Sequence, residues 1–261
     1  MASGTQTFTL FSESLRLSVA DRGTGKVFLV LHGGAGPASV TGLAEALARQ
    51  ARTIVPIHPG FAGQSRPSWF RRVDDLALAY LALLERLDVS EVVVIGNSVG
   101  GWIAAEMALR RSPRIAGIVL LNAVGIDAGA GARIGNPMEL PPEKRAAMAF
   151  SDPMRFSLPQ TPEGMAMMSA NQNALLAYAG EPYMHDPGLR ARLAEIDVPA
   201  LAVWGASDGI VDLDYGRRYA ESIPDCRFEV IAEAGHFPHI EKLDGVLEVI
   251  GAFVRADAKL V

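Results

Sequence analysis

Apolar and polar positions along the chain fall into two alternating kinds of block. Short runs such as Val27-Phe28-Leu29-Val30-Leu31 and Val92-Val93-Val94-Ile95 are apolar at every position, the pattern of a strand buried on both faces. Longer blocks repeat at helical spacing: Val73, Leu76, Tyr80, Leu83, Leu84 and Leu87 lay one apolar stripe along a helix at 72–87. Further runs predict strands at 53–57, 115–121, 201–204 and 227–231, and helices at 102–111, 214–223 and 242–254. Leu43, Ala44, Leu47 and Ala48 mark a short helix. Residues 7–10 and 15–19 predict a hairpin at a sheet edge, with Asp21 to Gly25 as the next turn. Strand and helix alternate, which is the order of a mostly parallel, doubly wound α/β sheet.

The rhythm breaks between residues 127 and 187. Gly, Pro and Met replace the β-branched runs, and seven of the nine methionines (138, 148, 154, 165, 167, 168 and 184) fall here. This predicts a helical insertion over the carboxyl end of the sheet, splitting the core into residues 1–126 and 188–261. Methionine is flexible and polarizable, so Met165, Met167 and Met168 are candidates for an adaptable pocket wall, although such residues more often only fill a core.

Composition narrows the classes. A chain of 261 residues that is 49% apolar can bury one large core, so one domain with an insertion is expected. The net charge of −5 and scattered Lys and Arg offer no basic stripe, which argues against nucleic acid or an anionic membrane as partner. The amino terminus lacks the basic and apolar regions of a signal peptide, and no run approaches the roughly 20 apolar residues of a membrane span. A soluble cytoplasmic protein with a small-molecule substrate is the expectation. Cys226 is the single cysteine, so an intrachain disulfide is impossible; no His or carboxylate pair has metal-ligand spacing, and neither a metal nor another cofactor is expected.

Candidate chemistry gathers just past strand ends. Gly96-Asn97-Ser98-Val99-Gly100 follows the run at 92–95 and opens a helix, a strand–turn–helix that would expose the Ser98 hydroxyl above the sheet. The glycine loop His32-Gly33-Gly34-Ala35-Gly36-Pro37, Asp208 and His236 occupy equivalent places after other strands, the edge at which open α/β sheets bind ligands. A serine hydroxyl needs a base; His236 is assigned to take its proton, and Asp208 to orient and stabilise the imidazole. The N–H of Val99 and that of Gly34, or of Ala35, are candidates to hold a developing oxyanion. Asp127 competes with Asp208 for the acid, Asp212 and Asp214 read as turn and helix N-cap, and His185 reads as a surface residue in the insertion. His58 and His239 read as loop-packing or solvent-facing groups.

With these motifs the chain resembles the α/β-hydrolase family over nearly its whole length: the glycine loop, Pro59-Gly60-Phe61, Gly96 to Gly101, Asp208 and His236. The resemblance implies the α/β-hydrolase fold, the Ser98–Asp208–His236 triad and a loop-orienting role for His32. It does not choose a substrate. Ser98 stands where family haloalkane and epoxide hydrolases carry aspartate, which argues against both. Asn97 and the Gly33 to Pro37 loop resemble hydrolases that split carbon–carbon bonds of ring-cleavage products. Those relatives usually place tryptophan after the catalytic histidine, whereas here Phe237 follows His236. The loop at 58–65 commonly begins with aspartate in the family, and here it begins with His58. The reading put first is a serine esterase for a small, mostly apolar carboxylic ester, working through an acyl-enzyme beneath a cap formed by residues 127–187. A vinylogous diketone hydrolase is the alternative. A small-molecule receptor with slow turnover is the alternative from outside the enzymes, separated from them by counting turnovers.

Overall fold

A computed structural model describes residues 4–132, 134–156, 161–257 and 260. The first part of the chain forms β1 (Thr5–Leu10), β2 (Leu15–Gly23), β3 (Val27–Leu31), α1 (Thr41–Leu47), β4 (Arg52–Pro56), α2 (Val73–Arg86), β5 (Val92–Asn97), α3 (Val99–Leu109) and β6 (Ile115–Leu121). A two-residue strand, β7 (Gly125–Ile126), leads to α4 (Pro142–Ala149), α5 (Pro153–Phe156) and α6 (Pro162–Ala179), and β8 (His185–Asp186) returns the chain. It ends in α7 (Leu189–Arg192), β9 (Ala200–Gly205), α8 (Leu213–Glu221), β10 (Cys226–Ile231), α9 (Pro238–Glu241) and α10 (Leu243–Ala256).

Eight strands make one sheet in the order β1-β2-β4-β3-β5-β6-β9-β10. From β4 to β10 every pairing is parallel, while the β1–β2 hairpin joins antiparallel at one edge. The turn expected at Asp21 to Gly25 begins later. β2 runs on to Gly23 because Asp21, Arg22 and Gly23 pair with Ile54, Thr53 and Arg52 of β4, and Arg52 holds Asp21 through two hydrogen bonds of 2.9 and 2.7 Å.

The apolar runs sit where their pattern requires. Every residue of β3 and β5 is buried, and separate cores cover the two sheet faces. Leu43 and Ala44 of α1 pack with Val246, Ile250 and Phe253 of α10 on one face; α2, α3 and α8 pack on the other. The α2 stripe begins after Arg72, where the Asp75 carboxylate accepts the N–H groups of Arg71 and Arg72, each at 2.8 Å, and so satisfies donors at the helix start. The helix expected from residue 102 starts at Val99, because Gly100 and Gly101 are helical here. Burial around its whole circumference explains their presence: neighbours approach too closely for side chains.

Between β7 and β8, α6 uses only its carboxyl-terminal half to pack. Asn171, Ala174, Leu175, Tyr178 and Ala179 are buried, whereas Met165, Met167 and Met168 are roughly half exposed. The methionine trio, a candidate pocket wall with plain packing as the favoured reading, is thus about half in solvent and is not core filling. No helix among the described residues is long and apolar enough to cross a membrane.

Candidate active site

Ser98 lies between β5 and α3 with φ 56° and ψ −119°, a conformation sparsely populated by residues with a side chain. The turn is enforced by backbone proximity. A Cβ on Gly96 would fall 2.1 Å from the carbonyl oxygen of Gly100, and one on Gly100 would fall 2.4 Å from that of Leu31. Ser98 N–H donates to Leu121 at 3.0 Å, and its carbonyl accepts from Gly101 at 2.9 Å and Val124 at 3.2 Å. The half-buried Ser98 is therefore fixed by β6, the residues just after it and the first turn of α3.

Asp208 and His236 meet directly. His236 Nδ1 lies 2.8 Å from Asp208 Oδ2, and both side chains are buried. Asp208 Oδ1 accepts from Ile210 N–H at 2.7 Å and Val211 N–H at 3.1 Å, and Oδ2 accepts from Asn122 Nδ2 at 2.6 Å. A carboxylate so supplied with donors favours the Nδ1–H tautomer of His236 and leaves Nε2 to face a reacting group. Among the described residues Ser98 Oγ and His236 are not hydrogen-bonded to each other; such bonds are commonly long in unliganded sites and tighten with substrate. Asn97 nevertheless ties the two corners together, since its buried Nδ2 donates to the carbonyls of Leu121 and His236, each at 3.1 Å. That use of Asn97 turns its amide into the protein, away from any ligand.

The glycine loop closes the other side. Among the described residues no hydrogen bond engages the N–H of Gly34, Ala35 or Val99. Leu175 of α6 covers Gly34 so closely that a Cβ there would be 2.6 Å from Leu175 Cδ2. Asn171 holds α6 down, accepting from Ala62 N–H at 2.9 Å and donating to the Ala35 carbonyl at 3.3 Å, and Tyr178 Oη donates to Pro59 at 2.9 Å.

Beneath this loop lies a pair of buried histidines. His32 and His58 stack with ring centroids 3.6 Å apart. His32 Nε2 accepts from His58 N–H at 3.1 Å, so its Nδ1–H donates to Gly33 at 2.8 Å; His58 Nε2–H donates to the His32 carbonyl at 2.8 Å and its Nδ1 meets Tyr80 Oη. Each ring is held neutral. Burial pushes His32 down to about 4, and burial together with the neighbouring His32 pushes His58 well below its usual value. His239 is also buried and pushed down to about 4, with Nε2 bonded to the Ser39 carbonyl at 3.0 Å. Solvent-facing positions for His58 and His239 are excluded; both serve loop packing.

The competing residues are elsewhere. Asp127 Oδ1 accepts from Gly129 N–H at 2.9 Å, and Asp127 and His185 line a cavity of about 240 Å³ with Tyr183 and Tyr215. His185, expected at the surface, is half-buried in β8. Asp212 caps α8 by accepting from Tyr215 N–H at 2.9 Å. Among the described residues no group of three or more His, Cys, Asp or Glu is arranged to hold a metal ion. Asn122 is a site residue that sequence reasoning missed; its only signal was an amide directly following the apolar run of β6.

A doubly wound sheet with a serine elbow and a buried acid–histidine pair at its carboxyl edge is a hydrolase architecture. Residues 26–243 match the model of the alpha/beta hydrolase fold, and the chain belongs to that family of hydrolases. It is 26% identical to 2-hydroxy-6-oxo-6-phenylhexa-2,4-dienoate hydrolase of Burkholderia cepacia, over 88% of each chain. It is also 26% identical to 2-hydroxymuconate semialdehyde hydrolase of Pseudomonas putida, over 95% of this chain and 94% of that one. Among solved structures, a meta-cleavage product hydrolase from Pseudomonas fluorescens IP01 superposes with a TM-score of 0.77 at 21% identity, covering 97% of this chain and 98% of that one. A thermophilic esterase from Thermogutta terrifontis gives 0.72 at 24% identity, covering 97% and 99%. These superpositions speak to the fold.

Proposed function

We propose that Ser98 is the nucleophile, His236 the general acid–base and Asp208 its orienting carboxylate, and that the bond broken is a carbon–carbon bond beside a ketone. The catalytic part is carried by one observation: the 2.8 Å Asp208–His236 contact at the same sheet edge as the strained Ser98 turn. The substrate part is supported by the relatives. A 2-hydroxy-6-oxo-dienoate has no ester or amide, so its hydrolysis must break the bond between C5 and the 6-oxo carbon. The enol proton is transferred to C5. Ser98 or a water, deprotonated by His236, then adds to C6, and the C5–C6 bond breaks with its electron pair delocalised into a dienolate. With one water consumed, the products are a carboxylic acid and a 2-hydroxydienoate. Val99 N–H and Gly34 N–H, or Ala35 N–H, hold the oxyanion at C6. Residues 127–187 act as a cap between core segments 1–126 and 188–261, excluding bulk water.

The relatives favour this over cleavage of a carboxylic ester, which the residues alone put first. Ester hydrolysis stands as the second reading because Phe237, T-shaped against His236 at 5.2 Å and packed on Phe150, replaces the tryptophan usual in the carbon–carbon enzymes. Two assays decide. A fluorophosphonate should label Ser98, with labelling lost in Ser98→Ala and His236→Ala, and Ser98→Ala should lower turnover about 10,000-fold or more. A well-folded but unlabelled wild type would sink the triad. The chromophore of a 2-hydroxy-6-oxo-dienoate should bleach with multiple turnovers; rapid turnover of a p-nitrophenyl ester with an inert dienoate would reverse the two readings.

A further inference from the structure

Glu241, on the short helix after His236, is buried and has no place in the chemistry above. Its partners are neutral donors. Oε2 accepts from Gly235 N–H at 2.5 Å, and Oε1 accepts from Ser151 N–H at 2.9 Å and Asp152 N–H at 3.4 Å. Ser151 Oγ lies 2.7 Å from Oε1 and 2.8 Å from the Glu233 carbonyl, so its single proton serves one of them. One oxygen thus faces the loop of His236 and the other faces the segment between α4 and α5.

That same segment touches both proposed partners of Ser98. The Ala149 carbonyl accepts from His236 N–H at 2.8 Å, and the Met148 carbonyl accepts from Gly209 N–H, beside Asp208, at 3.0 Å. The Phe150 ring lies 5.2 Å from that of Phe237. Gly235 admits this contact because a Cβ there would be 2.5 Å from the Ala149 carbonyl oxygen. Residues 148–152 therefore span the acid loop and the base loop, with Glu241 as the side-chain fastener.

We propose that Glu241 is a positioning residue for His236: its carboxylate clamps residues 148–152 onto the His236 loop, so that the Asp208–His236 pair is aligned only when this segment is seated. The proposal rests on the triad reading. It also explains why an acid stands here. Both oxygens must accept, and an amide would turn one of them into a donor facing an N–H.

The test compares wild type with Glu241→Gln, Ser151→Ala and Ser151→Thr. A small displacement of a catalytic group costs about 10- to 100-fold, so Glu241→Gln should slow fluorophosphonate labelling of Ser98 and kcat by about that factor, with KM within about 3-fold. The low-field proton NMR signal of His236 Nδ1–H should shift or broaden. Ser151→Ala should do the same more weakly, and Ser151→Thr should preserve wild-type behaviour. A folded Glu241→Gln protein with an unchanged signal and labelling rate overturns the proposal; if that variant does not fold, an unchanged Ser151→Ala overturns it. The proton signal reads the Asp208–His236 pair whether or not Ser98 reacts, which separates failure of this proposal from failure of the triad reading.

Discussion

The two corners of the site are built by opposite means. At the Ser98 corner the determinant is the absence of side chains: Gly96 and Gly100 let backbone oxygens come within 2.1 and 2.4 Å of where a Cβ would stand. At the Asp208–His236 corner the determinant is the presence of buried polar side chains, with Asn122 on Asp208, Asn97 on the His236 carbonyl and Glu241 on Gly235. A steric corner fails all at once, because a carbonyl oxygen has nowhere to go. A polar corner is a sum of hydrogen bonds, and it can be weakened one bond at a time.

Acid should strain both corners, and the effect is the largest expected. His32 lies under the loop beside Ser98 and His239 lies on α9 beside His236; each is neutral in the fold, pushed down to about 4, whereas the unfolded chain titrates near 6.5. Between those values the unfolded state binds more protons, so stability is fully present above about 6.5 and falls as pH drops toward 4. At 1.36 kcal/mol per pH unit this is roughly 3 kcal/mol for each histidine, and His58 adds to it in the same direction. Urea midpoints measured across this range should fall steeply, and His239→Gln, which keeps a donor for Ser39, should flatten the slope. An unchanged slope would mean His239 is not held neutral.

Gly100→Ala comes next. Its Cβ would meet the Leu31 and His32 carbonyl oxygens at 2.4 and 2.7 Å, for an expected loss of about 3 kcal/mol or more in urea unfolding; a loss below about 1 kcal/mol would break the steric account of this corner. Asn122→Ala should cost less, about 2 kcal/mol, by removing a buried donor to a carboxylate. Turnover should fall with it while Ser98 stays in place. If Asn122→Ala instead proved as damaging as Gly100→Ala, the contrast between the corners would dissolve. Smallest of all, replacing Met165, Met167 and Met168 by serine should change stability by under about 0.5 kcal/mol per site and leave KM unaltered, because these side chains are half exposed. A raised KM would return them to the substrate.

What the amino-acid pattern reveals follows the same division. β3, β5, β6 and β9 are readable because burial on both faces demands unbroken apolar runs; Ser98 and Asp208 are readable because each follows such a run beside glycine, and His236 because it stands beside glycine after the mixed edge strand β10. Asn122 and Glu241 are not, since Asn122 reaches Asp208 across 86 residues and Glu241 reaches Ser151 across 90, and hydrogen bonds of that range leave no periodicity. Asn97 is legible only as a likeness to the carbon–carbon hydrolases; that its amide bonds two backbone carbonyls is visible only in the packing. The extra length of β2 is set by its pairing with β4, which the β2 residues do not announce by themselves.

The pairing of β7 with β8 has a consequence for how such enzymes diversify. Gly125 lies opposite His185 and Ile126 opposite Asp186, so the strands leaving and re-entering the core run side by side. A stretch of about 60 residues is thereby spliced in at a single address, and doubling such a loop costs only about 0.6 kcal/mol of closure entropy. The stretch can be lengthened, shortened or exchanged for another with little disturbance to the sheet. Selection can thus rewrite what the enzyme admits, provided that residues 148–152 keep their seat against the His236 and Asp208 loops.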